Sequence, residues 1–492
     1  MGAWRGALAR VAGRLLACGA LVGCSGAQPP PAPAPGLPAA PSARPTETTP
    51  NREVEFADKA LGAWLASRLP NGGALTNRAD GSPGIVHSVQ ENETVADVAE
   101  SYLELTNVYL ADDLAQAIRD ENRLGSTDAL APGANLQIPS VVSAVPKAPS
   151  EGRLGWPDDK NLRGLHLRGQ VATGKSFARV LDAMSIRGIN LVVLDVKDAD
   201  GRLTHPSRVA LANEVGAIRR PSIRHLARTI QFAHDRGIRV AMRIVCFEDA
   251  LLSRARSDLA VQSVRGRPLY IGWVDPANET VQNYLLELAA EAMDAGADEI
   301  QLDYVRYPVI GAENADFRLK ERRRRKPEII RDFVHRVHEL TQSRGVPLSV
   351  DVFGILAEGV RSDVQGLGQD PVLLARECEA IAPMLYPSHY PKGFMGFDEP
   401  GDHPELVRVG VRKLIALIRR GRPRPTAVVR PWIQGMSFHS PTFGPQYIAE
   451  EVNHAKHAGA AGWMLWNPTQ DYSDTWQAIA PQRAAPASVA SR

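Results

Sequence analysis

Residues 298–308 read DEIQLDYVRYP. Ile300 and Leu302 alternate with polar neighbours up to Asp303, a cluster of Tyr304, Arg306 and Tyr307 follows, and Pro308 stops the run. That alternation, closed by a proline, predicts a buried strand that ends in a carboxylate. Seven further apolar, β-rich runs surround it: LRGLHLR (162–168), INLVVLDVKD (189–198), IRVAMRIVCF (238–247), PLSVDVFG (347–354), AIAPMLYP (380–387), TAVVRPWIQG (426–435) and AGWMLWNP (461–468). Helical patterns lie between them, such as SFARVLDAMSIRG (176–188) and TVQNYLLELAAEAMDAG (280–296), several closed by glycine as a helix C-cap is. Near-continuous apolar strands, each followed by a helix, imply a parallel sheet covered by helices. A count of eight predicts an α/β fold, a (β/α)8 TIM barrel over 155–482, with an open doubly wound sheet as the alternative.

In such barrels the chemistry gathers at the carboxyl ends of the strands. Asp195, Lys197 and Asp198 end the second strand, Arg243 and Glu248 belong to the third, and Asp303, Tyr304 and Arg306 to the fourth. Asp351 lies on the fifth, Tyr386 and His389 end the sixth, Trp432 and Gln434 the seventh, and Trp466 and Asn467 the eighth. Carboxylates converging with aromatic rings describe a sugar site, in which rings stack on pyranose faces and two acids flank the scissile bond. Asp303 is expected to face the reacting carbon, with Arg306 and the tyrosines fixing its ionisation. Asp351, one strand over, is the expected partner, and Asp198 and Glu248 are further candidates for the acid. Asp195, Lys197, Tyr304, Arg306, Tyr386, His389, Trp432, Gln434, Trp466 and Asn467 are expected to bind substrate. No His, Asp or Glu spacing suggests a metal, and no cofactor is expected.

The motifs DVKDADG (195–201), EIQLDYVRYP (299–308), SVDVFG (349–354), APMLYPSHY (382–390), PWIQG (431–435) and GWMLWNP (462–468) resemble, in order, a family of glycoside-hydrolase barrels. The resemblance implies a glycosidase-like barrel. The fourth strand is also similar to the DxxDxDxE strand of chitinase-like hydrolases at Asp298 and Asp303, but Gln301 and Val305 replace the middle aspartate and the terminal acid. A chitinase proton donor is therefore missing. GQVATGKS (169–176) satisfies the phosphate-loop pattern GxxxxGK[ST]. The reading preferred for it is an ordinary strand-to-helix loop, with nucleotide binding through Lys175 as the alternative.

The chain has 492 residues, 44% apolar and 23% charged, enough for more than one domain. Its first 23 residues join a basic start, Arg5, Arg10 and Arg14, to the apolar stretch LLACGALVG (15–23), which is too short to span a bilayer and has the layout of a secretory signal. Loss of those three arginines takes the formal charge from +2 to −1, so bulk charge does not suggest a nucleic-acid partner. LVGC (21–24) resembles a bacterial lipobox, which implies lipidation of Cys24 and an exported, membrane-anchored protein, by analogy at the outer membrane. Cys246 and Cys378 stand far apart without CxxC spacing and read as buried thiols.

Residues 24–84 are read as a Pro/Ala-rich tether and linker. From 85 to 140, a strand-like VHSV, two helical segments and LAPGANLQIP resemble a LysM domain, a β-α-α-β module that binds N-acetylglucosamine-containing glycans. Asn92 and Glu93 stand where that family has Gly-Asp. The expected function is a glycoside hydrolase acting on cell-envelope or extracellular polysaccharide, with amino sugars such as those of peptidoglycan as candidates. The alternative is a non-catalytic glycan-binding lipoprotein.

Overall fold

The structure is a computed structural model that describes residues 58–78, 80–126 and 129–481. The expected signal segment, Cys24 and the Pro/Ala tract lie outside those residues. The described chain divides between Pro146 and Lys147 into two compact units.

The first unit is a three-stranded antiparallel sheet, β1 (Gly73–Asn77), β2 (Pro83–Ser88) and β3 (Asn135–Ile138), in that order. Helices Val95–Tyr102 and Ala111–Glu121 connect β2 to β3. Thr94 starts the first of these with a capping box, its side chain accepting from the Asp97 amide while the Asp97 carboxylate accepts from the Thr94 amide. Val98, Tyr102, Leu114 and Ile118 from the helices meet Ile85, Leu136 and Ile138 from the sheet in one apolar core. Asn92 sits at φ 61°, a left-handed conformation that asparagine tolerates, and frees Glu93 to accept from the Gln90 amide and to bind His87. The folded unit starts earlier than the sequence suggested. A helix, Lys59–Ala66, capped by Asp58, sends Leu61 and Leu65 into the same core, and β1 completes the sheet, so 59–84 is not a linker.

The second unit is a closed barrel. β4 (Leu162–Leu167), β5 (Leu191–Lys197), β6 (Arg239–Val245), β7 (Glu299–Asp303), β8 (Leu348–Phe353) and β9 (Ala380–Met384) pair in sequence, all parallel. The seventh stave is two short pieces, β10 (Val428–Val429) and β11 (Trp432–Gln434), and β12 (Gly462–Trp466) pairs with both β11 and β4 to close the ring. Pro431, with no amide hydrogen, accounts for the break in the seventh stave. The outer helices include Gly174–Ser185, Glu279–Asp294, Lys326–Ser343, Leu406–Arg419 and Pro445–His457. All eight staves coincide with the eight apolar runs.

Strand alternation decides what fills the ring. Register pairs Arg243 with both Asp195 and Gln301, Gln301 with Ser349, and Asp351 with Ala382, which puts these side chains on the inner face. At the amino end of the strands the Glu299 carboxylate is bound by Arg430, Ser349 and the Trp156 indole. Asp298 accepts from the amides of Leu154, Gly155 and Val240 and binds the His234 ring. These acids close the floor. Asp298, aligned above with a chitinase strand, is structural and lies at the end of β7 opposite Asp303.

Candidate active site

At the carboxyl ends of β4 to β7 a continuous hydrogen-bonded chain runs along the ring, with Asp351 of β8 next to its end. His166 binds Asp195, with Nε2 and Oδ2 3.0 Å apart. Arg243 Nη1 donates to the other Asp195 oxygen at 2.5 Å, while Nη2 and Nε donate to Asp303 Oδ2 at 2.6 and 3.1 Å. Asp303 Oδ1 accepts from the Tyr304 amide at 2.6 Å, and Tyr304 takes φ 49° to make that contact. Leu302 is in register with Val350, so Asp303 and Asp351 come next in line on neighbouring strands. Asp351 is 1% exposed; its Oδ1 accepts from Trp432 Nε1 at 2.8 Å and its Oδ2 has no hydrogen-bond partner among the described residues. Trp466 stacks on His166 at 4.2 Å, stands edge-on to Trp432, and has the Arg243 guanidinium over its ring at 5.2 Å.

The arrangement divides the charge between the two acids. Burial, with the Asp303 charge behind it, pushes Asp351 well above the usual carboxylate range, and Arg243 offsets only part of this. Burial opposes the charge on Arg243, yet Asp303 and Asp195 outweigh it and hold the guanidinium protonated. Burial lowers His166 despite Asp195, so its ring is neutral and donates through Nε2. The result is an ion-paired carboxylate, Asp303, beside a proton-bearing one, Asp351. Such a pair can attack or stabilise a cationic carbon with one member and move a proton with the other.

A family model described as "Putative glycosyl hydrolase domain" matches residues 164–472, more than half of the chain and all of the staves but the first two residues of β4. The chain belongs to that glycosyl hydrolase family. Among solved structures, a hypothetical protein from Ruminiclostridium thermocellum ATCC 27405 is 35% identical, over 38% of this chain and 97% of that one, with a TM-score of 0.35. The spore cortex-lytic enzyme SleL of Bacillus megaterium QM B1551 is 13% identical, over 86% of this chain and 96% of that one, at TM-score 0.39. A beta-N-acetylhexosaminidase from Bacteroides fragilis NCTC 9343 is 12% identical, over 73% and 68%, at 0.42. No curated protein sequence matches the chain.

Within this glycosyl hydrolase domain the other expected residues fall into two groups. Tyr386 lies close enough to Asp351 and Asp303 that, after burial, their charges raise its phenol further, and His389 packs beside it at 5.2 Å. Tyr304 and Arg306 line the approach to Asp303 from the side of Trp273. The remaining residues serve the scaffold. Lys197 is buried against Asp249 at 2.9 Å and donates to the Glu248 carbonyl at 3.2 Å. Asp198 falls past an irregularity in β5, into a turn where it accepts from the Arg202 amide. Gln434 spends its amide on Met436, Ser440 and Ser388. Asn467 spends its own on Asp471 and Thr469. Lys175 is exposed at the start of an ordinary barrel helix.

Arg306 does not fix Asp303, as its place in the motif suggested. Arg243 does, from the neighbouring strand, because Tyr304 turns the chain away before Arg306. His166 was missed. Its one signal is a polar residue two positions after Gly164, on the inner face of an otherwise apolar strand. Among the described residues no group of three or more His, Cys, Asp or Glu side chains is set to hold a metal ion.

Proposed function

We propose that the protein hydrolyses glycosidic bonds of a cell-envelope or extracellular polysaccharide, with Asp303 acting at the anomeric carbon and Asp351 as the proton-bearing partner. The observation that carries this reading is the Asp303 and Asp351 pair: one ion-paired to Arg243, the other raised by burial, on adjacent staves of the barrel mouth. Neighbouring strands run about 4.8 Å apart, which favours the shorter carboxyl spacing of roughly 5–5.5 Å that retaining glycosidases use. Trp466, partly exposed and edge-on to the buried Trp432, supplies ring surface beside the acids. The resemblance of 85–140 to LysM supports a glycan-binding role for the first unit, and the lipobox at Cys24 supports tethering at the envelope. Together they favour an amino-sugar polymer such as peptidoglycan within reach of the anchor.

The test is release of new reducing ends by the full chain from peptidoglycan and from other amino-sugar polymers. Release from at least one is expected. Binding to these polymers without release from any supports instead a glycan-binding lipoprotein.

A further inference from the structure

On the Asp303 side of the site, a cavity of about 240 Å³ is lined by Glu248, Ile271, Trp273, Arg306, Val309, Ile310 and Gly311. It has room for roughly one sugar ring, below the 300–1,000 Å³ common for larger ligands. Its walls are apolar except for two groups. Arg306 is 4% exposed, its guanidinium lies 4.5 Å from the centre of the Trp273 ring, 4.6 Å from Phe353 and 5.1 Å from Tyr304, and Nη1 donates to the Tyr307 carbonyl. Among the described residues no carboxylate lies within ion-pair distance of it. Glu248 is 8% exposed and its Oε2 has no hydrogen-bond partner among the described residues.

A buried cation with no carboxylate in contact is costly, as is a buried carboxyl oxygen without a partner, and one ligand group satisfies both, the nearby charges of Glu248 and Asp303 acting on Arg306 only at longer range. We infer that this cavity is a subsite for a sugar residue bearing a carboxylate, gripped by Arg306 and given a second hydrogen bond by the Glu248 carboxyl. This rests on the glycosidase reading and narrows its substrate to an acidic glycan. A neutral sugar would leave the guanidinium unpaired, whereas a carboxylate takes the paired geometry that arginine favours. Burial raises Glu248 to about 7, against Arg306 and Lys197, with Asp303 and Asp200 adding to the rise and the Tyr304 phenol also facing it. Its carboxyl therefore donates to a bound carboxylate below neutrality and repels it above. The same loop continues into the exposed cations Arg318, Lys320 and Arg323, which draw an anionic chain toward the mouth.

The experiment titrates the full chain with methyl β-glucuronide and methyl β-glucoside at pH 5.5, following ligand line broadening by NMR. The uronide is expected to bind at least tenfold tighter. That preference should vanish in Arg306→Gln and in Ile310→Glu, which sets a carboxylate at the cavity wall without touching the buried guanidinium. It should fade above pH 7 in the wild type but persist in Glu248→Gln. Equal binding of the two glycosides, no binding of either, or a preference that survives Ile310→Glu overturns the subsite. Uronide preference without hydrolysis of any glycan would keep the subsite and remove the hydrolase reading; hydrolysis without the preference would do the reverse.

Discussion

The Arg243 guanidinium on β6 reaches the Asp303 carboxylate on β7 through two nitrogens, Nη2 at 2.6 Å and Nε at 3.1 Å, both on Oδ2. Its third nitrogen holds Asp195, so one cation serves two buried acids.

Removing that cation strands both. Arg243→Leu is expected to cost about 3–5 kcal/mol of stability, the usual penalty for leaving one side of a buried pair uncompensated. Urea unfolding of the variant against the wild type measures it, and a loss below about 1 kcal/mol contradicts the assignment.

Trp432→Phe keeps a ring but deletes the indole donor to Asp351 Oδ1. That donor favours the charged form, so its loss raises Asp351 further. If Asp351 supplies the proton, the alkaline limb of the activity profile moves up by roughly one pH unit. A limb that stays in place, or moves down, argues for another acid.

Glu248 gives a stability signature with a defined sign. Its carboxyl is raised in the folded chain from 4.5 to about 7, so the folded state holds its proton more tightly than the unfolded chain does. The stabilisation this brings is fully present below pH 4.5 and is lost as pH rises to about 7, with a slope of up to about 1.4 kcal/mol per pH unit. Glu248→Gln should remove that slope from the difference in unfolding free energy between pH 5 and 7. An unchanged slope contradicts the burial of an unpaired carboxyl.

The division at Pro146 and Lys147 predicts that the chain from Lys147 onward folds alone. It should match the full chain in kcat on soluble oligosaccharides but lose retention on insoluble glycan. Equal retention by both forms removes the proposed glycan-binding role of the first unit.

The barrel was legible because parallel strands buried on both faces write themselves as apolar runs, and all eight were there to count. Asp303, Asp351 and Asp195 were legible as polar residues on such runs, as were Arg243 and Trp432. Which of them pair was not. Arg243 sits 60 residues before Asp303 and meets it only through strand register, whereas Arg306, three residues away, is carried off by the left-handed backbone at Tyr304. Asp198 was misplaced for a related reason, since the irregularity between Asp195 and Lys197 breaks the alternation from which its facing would be read. The segment 59–84 read as linker although VEFADKALGAWLASRL (54–69) carries helical periodicity, because the glycine-rich NGGALTNRADGSPG (71–84) that follows reads as loop and yet contains β1.

The central claim is that Asp303 acts on the glycosidic carbon, and its most direct measurement is the turnover of Asp303→Asn on a glycan the wild type cleaves. Asparagine preserves the shape and removes the charge. A fall in kcat of about a thousandfold or more is expected, with thermal unfolding still cooperative. Turnover within tenfold of the wild type contradicts it.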